Sequence, residues 1–254
     1  MPKLIRDTTT VFCREITPEI RSPVSIIAHM GQPLLFLVLF GSMLAGTGSP
    51  LGAATGGVWP WFVPGILVMM CLMGPLSAGH SMLSELGGGQ MECFLVTPIS
   101  RTVIILGRTG KEVVILFAQA TLLIVIAIPL GMRLHLPGAL ATMVLLIVMA
   151  IGLSGLSYVL AIASRPSGNL FWIVTQMLVF PIMLLSGILL PVDAGPGWLS
   201  AIAAINPLTY IVDAARALFT GEFLSISVLY GTTAAVAIAV AGLALSTRAM
   251  KRGI

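Results

Sequence analysis

Two short stretches carry residue types at spacings that invite a catalytic reading. Gly107-Arg108-Thr109-Gly110-Lys111-Glu112 resembles a phosphate-cradling loop, in which backbone N–H groups and a lysine hold a nucleotide. Its first spacing is wrong, and Glu112 stands where a Ser or Thr would meet the magnesium ion. A carboxylate there also repels phosphate. Gly152-Leu153-Ser154-Gly155 resembles the surroundings of a serine nucleophile. That chemistry needs a base within hydrogen-bond reach, and His29, His80 and His135 all belong to other segments. The cysteines, Cys13, Cys71 and Cys93, form neither a CxxC pair nor a Cys/His cluster, so neither a disulfide nor a zinc site is expected. A lipid-acting enzyme would present paired acids or metal ligands on one face, and none is apparent. No catalytic, cofactor-binding or metal residue is assigned.

The elements that carry these residues are apolar. The chain of 254 residues is 57% hydrophobic and 9% charged, with mean hydropathy +1.07. A soluble domain carries roughly 25% charged residues, so this surface must face lipid or other helices. The net charge of +4 does not form a stripe suited to nucleic acid; the charges punctuate helix ends. Six apolar stretches stand near residues 25–44, 61–83, 113–132, 139–163, 170–190 and 226–245, each close to the roughly 20 residues a membrane span requires. The first 22 residues are too polar for a cleaved signal, so the first span is expected to be an uncleaved anchor.

Lys and Arg positions orient the spans. Eleven of the thirteen fall in the N-terminal segment, the loops after spans two and four, and the C-terminus, leaving Arg133 and Arg216 opposite. The biased side is expected to be cytoplasmic, with both termini inside. The expected fold is an all-α integral membrane protein with six transmembrane helices and one domain, 1–254. Residues 1–22 should form an interfacial helix, because apolar Leu4, Val11, Phe12, Ile16 and Ile20 alternate with charges. Thr17-Pro18-Glu19 reads as a helix start there. Residues 89–101 are too short to span yet expose Met91, Phe94 and Leu95, which suits a cytoplasmic docking surface. Residues 191–223 mix helix breakers with Trp198 and Tyr210 and should form short external re-entrant helices.

Three motifs then carry a resemblance to the permease subunits of ABC type-2 exporters, over essentially the whole chain. They are Gln32-Pro33-Leu34-Leu35-Phe36 with Phe40-Gly41; Glu92 to Arg101, including Leu95-Val96-Thr97-Pro98-Ile99; and Ser186-Gly187, Pro191, Asn206-Pro207-Leu208-Thr209-Tyr210, Asp213 and Arg216. The drug-resistance and nodulation-factor export branch is the most similar. Gln90, Cys93 and Gly87-Gly88-Gly89 depart from its pattern. The resemblance implies a permease without ATPase activity of its own. It would pair with a second copy, in a homodimer, and with two ABC ATPase subunits that carry ATP and magnesium. The cargo would be an amphipathic drug-like or lipid-linked molecule, the setting a bacterial inner membrane. The alternative is an ATP-independent carrier or channel, which should hold ionisable residues at mid-membrane.

Site expectations follow. Glu92, Phe94, Leu95, Val96, Thr97, Pro98 and Ile99 would form the coupling helix that docks the ATPase. Gly187, Pro191, Asn206, Pro207, Tyr210, Asp213 and Arg216 would shape the external gate, through architecture or substrate contact; Asn206 suits a helix cap and Asp213 meets Arg216 at i,i+3. Met69, Met70, Met73, Met177 and Met183 would line an adaptable cavity or face lipid. Arg108 and Glu112 would pair at the membrane boundary, and Glu85 would face the ATPase or pair with Arg101. Gly152 and Gly155 would allow close helix packing.

Overall fold

A computed structural model of the protein describes residues 2–46, 57–88, 101–132, 134–164, 168–189 and 196–253. Among the described residues every regular element is a helix. They are α1 (Pro2–Arg21), α2 (Pro23–Gly46), α3 (Val58–Gly87), α4 (Arg101–Ala127), α5 (Leu136–Ala163), α6 (Asn169–Val174), α7 (Phe180–Leu185), α8 (Gly197–Ile205), α9 (Pro207–Thr220) and α10 (Ile226–Gly253). A π-helical turn, Thr175–Val179, joins α6 to α7.

Among the described residues four helical segments are long and apolar enough to cross a membrane: Val58–Glu85, Val103–Ala127, Leu136–Ala163 and Ile226–Ala249. The α8–α9 pair, bent by 89° at Asn206, makes a fifth if it counts as one broken span. Met30–Met43 within α2 and Asn169–Leu185 are shorter apolar helices. Length and composition thus give four or five candidate spans among the described residues, where six were expected. The chain is a membrane protein with several apolar helices.

The core gathers around α3, the most enclosed of these segments. Phe62, Ile66, Leu67 and Cys71 of α3 are fully covered, facing Leu123 of α4, Leu146 and Met149 of α5, and Ile211 of α9. Glycines set the closest approaches. Gly152 and Gly155 on α5 abut the backbone of α10 at Ile238, Ala239 and Gly242, where a side chain on either helix would hold the two apart. The outward faces stay oily: Val236 and Val240 on α10, Phe117 and Val125 on α4, and Trp172, Met177 and Phe180 on α6–α7 are all exposed.

Helix ends follow local chemistry. Asn206 caps α9, its Oδ1 accepting from Leu208 N at 3.0 Å, with Pro207 in the first turn. At the other end of α9, Gly221 adopts φ +88° while Gly221 N and Glu222 N close onto Leu218 O and Ala217 O, a Schellman ending.

Two expectations change. The helix expected to begin at Thr17-Pro18 is already formed: α1 runs unbroken from Pro2 to Arg21, with Pro18 inside it. Packing supplies the reason, because Val11 is buried against Gly107 of α4 and holds the turns ahead of the proline. The third span, expected at 113–132, lies earlier, with apolar helix from Val103 to Ala127. Charges at Arg108, Lys111 and Glu112 mark an end in the sequence; in the fold, partners from α1 and α3 let them sit inside a helix.

Candidate functional site

Two polar clasps stand at opposite ends of the bundle. Trp61 and Glu85 lie 24 residues apart on α3, about 36 Å at 1.5 Å per residue, close to a bilayer's hydrocarbon thickness of about 30 Å. At the Glu85 end, the Arg108 guanidinium of α4 bonds Glu85 of α3 and lies 3.4 Å from Glu15 of α1. One turn along, Lys111 meets Glu112 at 3.3 Å and Glu19 at 4.0 Å. Only 5% of the Arg108 side chain is exposed. One cation thus ties three helices together out of bulk water, where ion pairs are screened little.

Glycines make that joint possible. Val11 Cγ1 lies 2.7 Å from where a Gly107 Cβ would stand, and the Phe12 ring borders Gly110. The stretch that resembles a phosphate loop is therefore the groove in α4 that receives α1.

At the Trp61 end, Arg216 of α9 donates from Nη2 to Gly187 O at 2.8 Å and from Nε to Trp61 O at 3.2 Å. Its guanidinium carbon lies 4.0 Å from the centre of the Trp61 ring, a cation–π geometry. Asp213 sits 3.6 Å from Arg216. Gly187 turns the chain after α7 with φ +74°, a conformation glycine adopts without strain. Asn206 Nδ2 donates to Ile182 O at 2.8 Å, and Tyr210 OH to Ala204 O at 2.6 Å. This clasp ties the bent α8–α9 pair to α3 and α7.

Two of the openings among the described residues meet at Gln119 of α4. A cavity of about 150 Å³ is lined by Met69, Met70 and Met73 of α3, Gln32 and Pro33 of α2, and Gln119 of α4. A crevice of about 270 Å³ opens between α1, α2 and α4, and Gln119 lines it too.

Residues 6–220 match the ABC-2 type transporter family. The chain belongs to the ABC-2 type transporter family. Relatives of this ABC-2 permease include the transport permease ycf38 of Cyanophora paradoxa, 27% identical over 202 residues that cover 79% of this chain and 69% of the relative. The ycf38 permease of Porphyra purpurea is 26% identical over 234 residues, 86% and 80% of the two chains. The daunorubicin resistance ABC transporter permease protein DrrB1 of Streptomyces coeruleorubidus is 24% identical over 205 residues, 78% and 70%. Permeases of this family are membrane components of transporters and not themselves catalytic.

The permease's structure sorts the residues singled out from sequence. Gly187, Asn206, Pro207, Tyr210, Asp213 and Arg216 assemble at the Trp61 end. Pro191 and the coupling residues from Glu92 to Ile99 lie outside the described residues. Met69, Met70 and Met73 line one cavity, whereas Met183 is buried in the core and Met177 is exposed on the outer face. Those two stand in the segment after α5, away from that cavity's walls. Glu85 is bonded by Arg108, and the side chain of Arg101 lies outside the described residues. Arg108 takes Glu15 and Glu85, while Lys111 takes Glu112. Sequence reasoning missed Glu15 and Glu19 as partners. The signal was present: two acids at i,i+4 on α1 against two bases at i,i+3 on α4, both one helical turn apart.

Replacing Arg216 with lysine tests the second clasp. Lysine keeps the charge but loses the planar fork, so Arg216→Lys should destabilise the permease by about 2 kcal/mol. The carboxylate of Asp213 is half exposed, and Asp213→Asn should cost about 1 kcal/mol or less. Thermal unfolding of the detergent-purified variants measures both; equal losses would mean that the ion pair, not the carbonyl and ring contacts, holds α9.

Proposed function

We propose that the protein is the membrane-spanning subunit of an ATP-driven ABC exporter in a cell membrane. Two copies would work with two ATPase subunits that bind ATP and magnesium, moving an amphipathic molecule outward from the cytoplasm or inner leaflet. The clustering of Lys and Arg at alternate chain segments supports a six-span reading with both termini cytoplasmic, in which α2 and the α6–α7 unit cross although their apolar stretches are short. Helix α8 has nine residues, about 13 Å of rise, which suits a re-entrant element. The spans are then α2, α3, α4, α5, the α6–α7 unit and α10. Drug resistance in the name of the relative DrrB1 favours an amphipathic cargo.

One observation carries the mechanism: Arg108 binds α3 to α4 where the chain leaves one and enters the other. Residues 89–100 connect precisely those two helices, so a push on the connector is delivered to both as one body. Glu15 adds α1 to that body. A force applied by a docked ATPase therefore reaches the core-forming helix α3 without being absorbed by independent bending. The cluster of buried charges lies toward one end of α3 and serves this joint, which does not favour an ion-coupled carrier.

A tagged chain should copurify its ATPase subunit stoichiometrically from its native membrane. Alanine at Phe94, Leu95 and Ile99 together should weaken that association at least about tenfold, as loss of buried apolar contacts does at interfaces. Unchanged association would refute the docking surface, and ATP hydrolysis by the purified chain alone would refute the division of labour.

A further inference from the structure

We infer that the cavity bordered by Met69, Met70 and Met73 binds the soft monovalent cation Cu(I) through thioether sulfur. The inference goes beyond the exporter reading and does not rest on it, because binding needs no ATPase. The three methionines stand on adjoining turns of α3 and line one cavity. At 3.6 residues per turn they fall within about 100° of arc, so their side chains leave one face of the helix. Thioether sulfur is a soft donor that selects Cu(I) over hard cations. Methionine has three rotatable bonds, which lets neighbouring side chains converge on one ion. Among the described residues no group of three His, Cys, Asp or Glu is placed to hold a metal, so cations that prefer imidazole or carboxylate find no comparable set.

Size and lining restrict the occupant. At about 150 Å³ the cavity has half the smallest volume typical for a drug-sized ligand, roughly 300 Å³. Its wall is mixed. Gln32 of α2 and Gln119 of α4 bring amides, and Gly74 brings no side chain; a plain hydrocarbon occupant would cover those amides without bonding them. An amide oxygen beside the sulfurs offers a cation the partial negative charge that neutral thioethers lack. Met70 lies nine residues from Trp61 and fifteen from Glu85, about 13 Å and 22 Å along α3, so the site sits well inside the span. Cys71 does not join it: its thiol points the other way and donates to Leu146 O of α5 at 3.2 Å.

The test uses the purified full chain in phosphatidylcholine nanodiscs, carrying Cys13→Ser and Cys93→Ser so that neither thiol competes for the ion. Cu(I), kept reduced with ascorbate, is titrated against the chromogenic chelator bicinchoninate. About one Cu(I) per chain is expected, with sulfur in its first coordination sphere by X-ray absorption. Met70→Leu and Met73→Leu should each weaken binding about tenfold, and both combined with Met69→Leu should abolish it. Leucine nearly conserves the volume of methionine; an unchanged unfolding midpoint shows that the fold survives, and should the triple variant unfold, the single variants decide. Met177→Leu, on the exposed outer face, should leave affinity unchanged. A thioether has no acidic proton, so affinity should hold level from about pH 8 to about pH 6, where a thiolate or imidazole site weakens. Unchanged affinity in the single variants, an equal loss with Met177→Leu, coordination by nitrogen or oxygen alone, or weakening on acidification would overturn the site.

Discussion

Arg108→Met is expected to destabilise the protein by about 3–5 kcal/mol, the cost of leaving buried carboxylates without their cation. Glu15 and Glu85 converge on this guanidinium, and their side chains are 15% and 21% exposed, too covered for water to replace it fully. Methionine matches much of arginine's length, so lost packing contributes little. The midpoint of thermal unfolding in detergent should fall by roughly 10 °C. Glu15→Gln and Glu85→Gln added to Arg108→Met should restore much of the loss, because neutral amides need no counter-charge. An Arg108→Met protein that melts like wild type would show that the clasp does not hold α1, α3 and α4. A fall that the added amides do not relieve would instead point to packing. If the proposed exporter reading holds, the triple variant also separates stability from coupling: it should fold, yet support less ATP-driven transport.

Gly152→Leu should be nearly as damaging, by a different route. A Cβ at Gly152 would stand 2.5 Å from the Ile238 carbonyl carbon and 2.6 Å from Ala239 Cα. These are backbone atoms of a neighbouring helix, unable to rotate away as a side-chain tip can. Helices α5 and α10 would have to separate, undoing contacts along both, at a cost of about 3 kcal/mol or more. Folded yield from membranes and the unfolding midpoint measure the effect. Gly31→Ala is the matched control. Nothing lies within 4 Å of where its Cβ would stand, and alanine in a helix interior is favoured over glycine by about 0.5–1 kcal/mol. If Gly152→Leu and Gly31→Ala behave alike, close approach does not set the α5–α10 crossing.

Composition alone determined that this chain is a helical membrane protein, since peptide groups in hydrocarbon must bond within their own segment. Local pattern reached the Asn206 cap with Pro207, the Asp213–Arg216 pair and the helix bend between α8 and α9, because caps, i,i+3 pairs and breakers act over a few neighbouring residues. It also read Gly152 and Gly155 as packing positions. Local pattern misled at Pro18, where packing on Gly107 carries α1 through a residue that ends isolated helices, and at Arg108, where charge suggested a boundary. Which acids meet Arg108, which carbonyls Arg216 reaches and which methionines share a cavity were decided only by the tertiary structure. The Arg108 and Arg216 contacts join residues tens to more than a hundred positions apart, as from Trp61 to Arg216. They arise from the relative position of whole helices, a property that no short window of sequence contains.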